Sequence, residues 1–355
     1  MYPFVYQALS QRVVFGSGTI DQVGDELARM DLAKALVLTT PQQEETGRKM
    51  LEALGARAAD LFAGAAMHTP VEVTEKALEQ VNAVSADCVV SIGGGSTTGL
   101  GKAIALRTDL PQIVIPTSYA GSEATPILGE TKDGAKTTQR SMKVLPEVIV
   151  YDVDLTMSLP AKMTVTSGLN AIAHSVEGLY TQDRNPVISI IAQEGIAALT
   201  RALPVIHERP DDAEARSDAL YGAWACGTVL GAVGMALHHK ICHVLGGSFD
   251  LPHAETHSVI LPHATAYNER AVARELTPVA SIFQSESAAL GLWTFARRLD
   301  APMTLSELGM KQSDLDRAVG IMMNNPYWNP QPLLEEDLRG LLDDAFFGRA
   351  PGASL

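Results

Sequence analysis

The sequence predicts an α/β N-terminal domain over residues 1–157, a parallel sheet with helices on both faces, and an all-α domain over residues 158–355. Three observations predict them. Short valine- and isoleucine-rich runs alternate with segments of helical period in the first part of the chain, the pattern of a parallel sheet wrapped on both sides. Strand signals almost vanish from a boundary near 155–162, where long helical patterns take over. Finally, 355 residues with 46% hydrophobic content exceed a single core, since cores stop growing near about 250–300 residues.

In chain order, KALVLTT (34–40), DCVVSIGGGS (87–96), QIVIPTS (112–118) and EVIVYD (147–152) read as buried strands. Between them QQEETGRKMLEALG and VTEKALEQVNAVSA carry apolar residues at three- and four-residue spacing, so they read as surface helices. Beyond the boundary PVISIIAQEGIAALTRALPVI, ARSDALYGAWACGTVLGAVGMALHHKICHVLGG and SDLDRAVGIMM continue as helices punctuated by proline and glycine. There is no internal repeat and no low-complexity tract.

Charge narrows the partners. A net charge of −14 and a pI near 5.1 argue against nucleic acid or an anionic membrane surface, both of which need a positive field. An anionic small-molecule substrate would have to meet local positive charge. Three cysteines, Cys88, Cys226 and Cys242, lack ligand-like spacing and fit a reducing compartment. The opening MYPFVYQALSQRVVFGSG has neither a basic start nor an unbroken apolar run. No stretch reaches about 18 apolar residues without a charge or turn residue. The expectation is a cytoplasmic, unanchored protein.

SIGGGSTTGLGKAIAL (91–106) runs from a strand through Gly94, Gly95, Ser96 and Thr97 into a helix. Glycines admit a phosphate to the backbone, and the helix start offers unpaired N–H groups, so these four residues form a candidate pyrophosphate cradle. The alternative is a plain strand-to-helix turn, because the spacing matches neither GxGxxG nor GxxxxGK[ST]. After the next strand, IPTSYAGSEATP (115–126) gathers Thr117, Ser118 and Ser122 into a second hydroxyl-rich loop. Both loops fall at carboxyl ends of parallel strands, where open α/β sheets bind ligands.

Six of the nine histidines lie between 238 and 263. His239 and His243 share a helix face, and the LGG turn lets His253 come back toward them. In SGLNAIAHSVEGLY (167–180), His174 follows Asn170 by one helical turn. Spaced histidines with such a pair build divalent metal sites, usually with an acidic ligand among them; here that position is Asn170. A lone histidine on an apolar helix is more often core, so His257 and His263 are assigned to structure, and His238 is demoted because it points away from the face of His239.

The GGGS turn, the PTSxxGSE loop, the NAIAHSVE helix and the HxxxHxLGGxxxxPH segment resemble the iron-containing alcohol dehydrogenase superfamily over nearly the whole chain. The wording GGGSTTGLGKAIAL, HHKICHVLGGSFDLPHAETHSVILPHA and NPYWNP (325–330) is similar to the subgroup that reduces maleylacetate. The resemblance implies NADH or NADPH bound between an α/β and a helical domain. It further implies reduction of the carbon–carbon double bond of maleylacetate to 3-oxoadipate in bacterial aromatic catabolism, and a homodimer. It carries the superfamily's metal-ligand slots onto Asn170, His174, His239 and His253, and a histidine beside the nicotinamide onto His243. An asparagine in the first slot supplies no charge, so the expectation is a metal-site shell with no obligatory metal. The superfamily's GGGSxxDxxK reads Gly99 at the aspartate, leaving Lys102 either as a solvated helix lysine or as a group near the cofactor. Where NAD-specific relatives place an aspartate on the ribose, this chain has Thr40. His243 and His253 are expected to share enolate stabilisation and protonation, and Lys240 to meet a substrate carboxylate unless it is a surface lysine. Two other readings stand beside this one: a metal-dependent alcohol dehydrogenase that tolerates Asn170, and a non-catalytic nucleotide-binding protein.

Overall fold

The computed structural model describes residues 2–133, 135–324 and 327–354, forming two compact units, Ala8–Leu159 and Met1–Gln7 with Pro160–Leu355. The first unit holds β1 (Arg12–Gly16), α1 (Val23–Arg29), β2 (Ala35–Leu38), α2 (Glu44–Leu54), β3 (Ala58–Phe62), α3 (Val71–Val84), β4 (Cys88–Gly93), α4 (Gly95–Thr108), β5 (Gln112–Pro116), β6 (Ile127–Lys132), β7 (Ala135–Arg140) and β8 (Val148–Asp152). Six of the strands pair in parallel in the order β1-β8-β5-β4-β2-β3. Alternate side chains go to opposite faces. Val37, Val90, Ile92, Ile113, Ile115, Val148 and Val150 pack with Met50 and Leu54 of α2 on one face. Leu36, Leu38 and Val89 pack with Ala77 and Val81 of α3 and Leu100 and Ile104 of α4 on the other.

The four strands read from apolar runs are β2, β4, β5 and β8. The pattern missed β1, β3 and the β6-β7 hairpin. β1 and β3 are the sheet's two edges, and RVVFG and AADLF are only partly buried there, so neither needs a continuous apolar run. Order also fixes where a ligand goes. From β2 the chain crosses to β3 on one side and then returns to β4 on the other, so the topological switch lies between β2 and β4.

The second unit is helical: α5 (Ala161–Gly178), α6 (Pro186–Glu208), α7 (Ala213–Ala232), α8 (Leu237–Phe249), α9 (His253–Ile282), α10 (Ala288–Arg298), α11 (Leu315–Asn324) and α12 (Glu335–Phe347). α5 is buried almost all round from Thr164 to Gly178 and packs on α6, α7 and α9. Its last residue must be small, because a Cβ at Gly178 would stand 2.2 Å from Val229 Cγ1 of α7. Among the described residues α6 is the one unbroken helix long and apolar enough to cross a bilayer. Here Ile188, Ala192, Ile196 and Leu199 are buried within the unit, and Glu194 and Arg201 interrupt the other side. Tyr2, in the N-terminal arm, stacks beneath the Arg184 guanidinium.

Candidate active site

In the α/β unit, three loops at the carboxyl ends of the adjacent strands β2, β4 and β5 meet. β4 ends at Gly93, Gly94 caps α4, and α4 starts at Gly95. Gly93 has φ +146°, and a Cβ there would stand 2.2 Å from Thr97 Oγ1 and 2.6 Å from Gln43 Oε1. Gly95 borders open space. The helix N-terminus is thus bared for an anion, which fits the pyrophosphate of a dinucleotide. Ser96 is half-buried beside it. Thr97 is turned inward, its hydroxyl donating to Gly94 O at 3.2 Å. Thr117 N donates to Gly93 O at 3.0 Å, and Ser118 Oγ lies 3.1 Å from where a Cβ on Gly94 would stand. Gln43, which the sequence reading passed over, ties the loops together. It donates to Thr117 Oγ1 at 3.1 Å and accepts from Thr40 Oγ1 at 3.4 Å.

Lys102 is not the solvated lysine that one sequence reading allowed. It is 1% exposed, and its ammonium donates to Ser122 O, Thr125 O, Thr125 Oγ1 and Ile127 O at 2.5–2.9 Å. Burial pushes it down to about 7, opposed by the nearby Glu123 carboxyl. It locks the loop that carries Ser122, whose hydroxyl is buried with no hydrogen-bond partner among the described residues.

In the helical unit the histidines gather into one graded cluster. His243 and His253 are exposed, His174 and His239 are buried at its middle, and His238 and His257 are buried beneath. His253 opens α9 and stacks 4.4 Å from the His257 ring, which lies 5.2 Å from His239. His239 is 6.3 Å from His243 and 5.0 Å from His174, centroid to centroid. His238 and His257, set aside from the site on spacing, pack directly under it. His257 stacks against His174, His239 and His253, and its Nδ1 lies 2.9 Å from His238 Nε2. Spacing missed this because His257 reaches the cluster from α9, four residues after His253, rather than along α8. Burial holds both His238 and His257 well below the ordinary histidine range. His263 lies apart, both ring nitrogens buried without partners among the described residues.

Two further residues emerge. Glu177, 0% exposed, places a carboxylate oxygen 2.6 Å from His239 Nδ1. Asn329, from the NPYWNP motif, accepts from Leu237 N at the start of α8. Asn325 and Pro326 of that motif lie outside the described residues. Lys240 is half-buried, its ammonium 5.2 Å from the Tyr327 ring centroid, and burial lowers its pKa.

Of the four metal-slot residues, Asn170 is 2% exposed and its Oδ1 has no hydrogen-bond partner among the described residues. His174 Nδ1 and His239 Nε2 are 2.8 Å apart and share a hydrogen. A separate trio, His238, Cys242 and His257, brings three ligand-type atoms within 4.8 Å of one another. Burial raises the Cys242 thiol well above its ordinary range, which disfavours the thiolate that a metal would need.

A nucleotide cradle on a parallel sheet and a histidine cluster on helices are the two parts of a known class of oxidoreductase. The description "Iron-containing alcohol dehydrogenase" matches residues 10–153, and the family's C-terminal description matches residues 164–346. The chain belongs to the iron-containing alcohol dehydrogenase family. Within it, the chain is 56% identical over 99% of its length to all of the maleylacetate reductase of Rhizobium sp. strain MTP-10005. It is 50% identical over 98% of its length to 99% of the maleylacetate reductase of Sphingobium indicum. The crystal structure of maleylacetate reductase from Agrobacterium tumefaciens superimposes with a TM-score of 0.97 at 56% identity, covering 99% of this chain and 100% of that one.

Proposed function

We propose that this chain reduces maleylacetate to 3-oxoadipate with NADH or NADPH, a step of aromatic-compound catabolism, and works as a cytoplasmic homodimer. Full-length identity of 56% to a maleylacetate reductase carries the reading. When bound at the cradle, the nicotinamide cofactor supplies a hydride to the alkene carbon β to the ketone. Pushing electrons through the conjugated system leaves an enolate on the ketone oxygen, and a proton is then needed on the carbon α to it. Histidine suits both tasks near neutral pH, donating a hydrogen bond to the oxyanion or a proton to carbon. His243 and His253, the two exposed rings, take these parts, with His174, His239 and Asn170 lining the floor. Lys240 offers its charge to a substrate carboxylate.

No step requires a metal. The four slots hold an uncharged amide, Asn170, and three imidazoles, His174, His239 and His253. Hard or borderline divalent cations favour an anionic ligand, so this donor set fits iron poorly. A conjugated enone spreads its developing charge and can manage with hydrogen bonds where a simple ketone gains from a Lewis acid. The test is NADH oxidation with maleylacetate and with simple aldehydes, before and after exhaustive EDTA treatment. Maleylacetate turnover is expected to survive chelation, and Asn170→Asp to retain more metal by plasma mass spectrometry. Activity lost to EDTA and restored by iron or zinc would establish the metal-dependent reading instead.

A further inference from the structure

We propose that Glu177 is the positioning residue of the histidine cluster: it fixes the tautomer of His239 and, through it, the direction in which His174 donates. The kinetic part of this proposal rests on the maleylacetate reading; the structural part rests on geometry alone.

Glu177 sits in the last turn of α5 and faces the first turn of α8. A helix start leaves its leading N–H groups without intrahelical acceptors. Here each has a side-chain acceptor. Glu177 accepts from Ala236 N at 2.9 Å, His238 N at 2.7 Å and His239 N at 3.4 Å, while Asn329 accepts from Leu237 N at 3.3 Å. A carboxylate at a helix N-terminus is also favoured by the helix dipole. The segment that carries His239, Lys240 and His243 is therefore anchored to α5 by one buried side chain.

The same carboxylate then reads the imidazole. Its Oε2 lies 2.6 Å from His239 Nδ1. A group that accepts from three amides is an acceptor throughout, so the hydrogen in this contact belongs to His239 Nδ1. A neutral His239 ring then has its lone pair on Nε2, and the hydrogen shared at 2.8 Å with His174 Nδ1 belongs to His174. Donation runs one way, from His174 to His239 to Glu177. The opposite arrangement would put a hydrogen on His239 Nε2, make His174 Nδ1 an acceptor and reverse the polarity that His174 Nε2 presents. Without a fixed acceptor at Nδ1, nothing in the His239–His174 contact selects between the two.

This wiring is separate from the established role of a helix cap, because a cap needs only the amides. The distinguishing measurement is long-range ¹H–¹⁵N NMR on the full-length chain with ¹⁵N-labelled histidine, His239 being assigned by the signal lost in His239→Gln. In the wild-type chain His239 is expected to carry its hydrogen on Nδ1; a hydrogen on Nε2 overturns the proposal without any variant at Glu177. In Glu177→Met the Nε2–H form should appear, and kcat for maleylacetate should fall about tenfold or more, with NADH affinity within about twofold. Glu177→Gln, which keeps one acceptor oxygen, should recover kcat to the extent that it recovers the Nδ1–H form. A folded methionine variant with unchanged tautomer, or with the tautomer switched and kcat unaltered, overturns the proposal. Should the methionine variant not fold, the wild-type spectrum decides. A wild-type chain with no maleylacetate turnover would overturn the reaction reading and leave the tautomer measurement standing.

Discussion

The glycine cradle and the histidine cluster are built by different means. At the cradle the groups left open are backbone, the amides at the start of α4 beside Gly94 and Gly95, with side chains such as Thr97 and Gln43 turned to bracing the loops. In the cluster the groups brought together are side chains, and rings contact one another or Glu177. One region depends on leaving space empty. The other depends on a continuous set of contacts, so a single replacement should propagate further in it.

The largest effect expected from that contrast is on turnover. His243→Ala and His253→Ala should each lower kcat by at least about a hundredfold, the usual scale for a positioned acid or oxyanion donor, while NADH still binds. Stopped-flow turnover and fluorescence titration of NADH separate the two readouts. Variants that keep more than about a tenth of wild-type kcat would mark these rings as structural and move the proton delivery to His174, Lys240 or ordered water.

The converse variant is at the cradle. Gly93→Ala places a Cβ 2.2 Å from Thr97 Oγ1 at a positive φ of 146°, so the β4–α4 turn must shift. NADH affinity should fall by about tenfold or more, on the scale of about 1.4 kcal/mol per decade. The histidine ring signals should stay where they are. Unchanged NADH affinity would mean that the turn is not where the dinucleotide binds.

How much of this was legible in the sequence follows the same division. GGGS and PTSxxGSE announce themselves because backbone exposure at a strand end needs glycine and small hydroxyl residues in sequence, and β4 and β5 were long apolar runs. The edge strands β1 and β3 were hidden because half-buried edges do not require such runs. In the cluster, His239 and His243 follow from helical spacing, but Glu177 and His257 belong to other helices, and no periodicity relates α5 to α8 or α9. Lys102 was ambiguous for a similar reason: its four acceptors lie in a loop 20 to 25 residues further on.

Stability should also separate the two regions by pH. Burial lowers His263 to about 4 and holds His238 and His257 well below the ordinary range. Between about pH 6.5 and pH 4 the unfolded chain therefore binds protons that the folded chain refuses. Unfolding free energy falls as pH drops through that window, by up to about 1.4 kcal/mol per pH unit for each such histidine. Thermal melts at pH 7 and pH 5 should show it, with a shallower dependence in His263→Leu. Equal slopes in the two chains would mean that His263 is protonated in the folded state.

The smallest expected effect concerns the second phosphate of NADPH. Thr40 stands at the end of β2, next to the switch point, and its hydroxyl donates to Gln43 rather than presenting a charge. The next acidic residues, Glu44 and Glu45, begin α2 and pair with Arg48 and Lys49 one turn on, which offsets their charge. A 2′-phosphate arriving there meets no unpaired carboxylate on this segment, and a free ribose hydroxyl loses no carboxylate partner. The two cofactors should then differ in kcat/KM by no more than about tenfold, or about 1.4 kcal/mol. Steady-state kinetics with NADH and NADPH at fixed maleylacetate measure the ratio. A preference for NADH beyond about a hundredfold would mean that Glu44 or Glu45 leaves its basic partner to hold the ribose, and Glu44→Gln would then relax it.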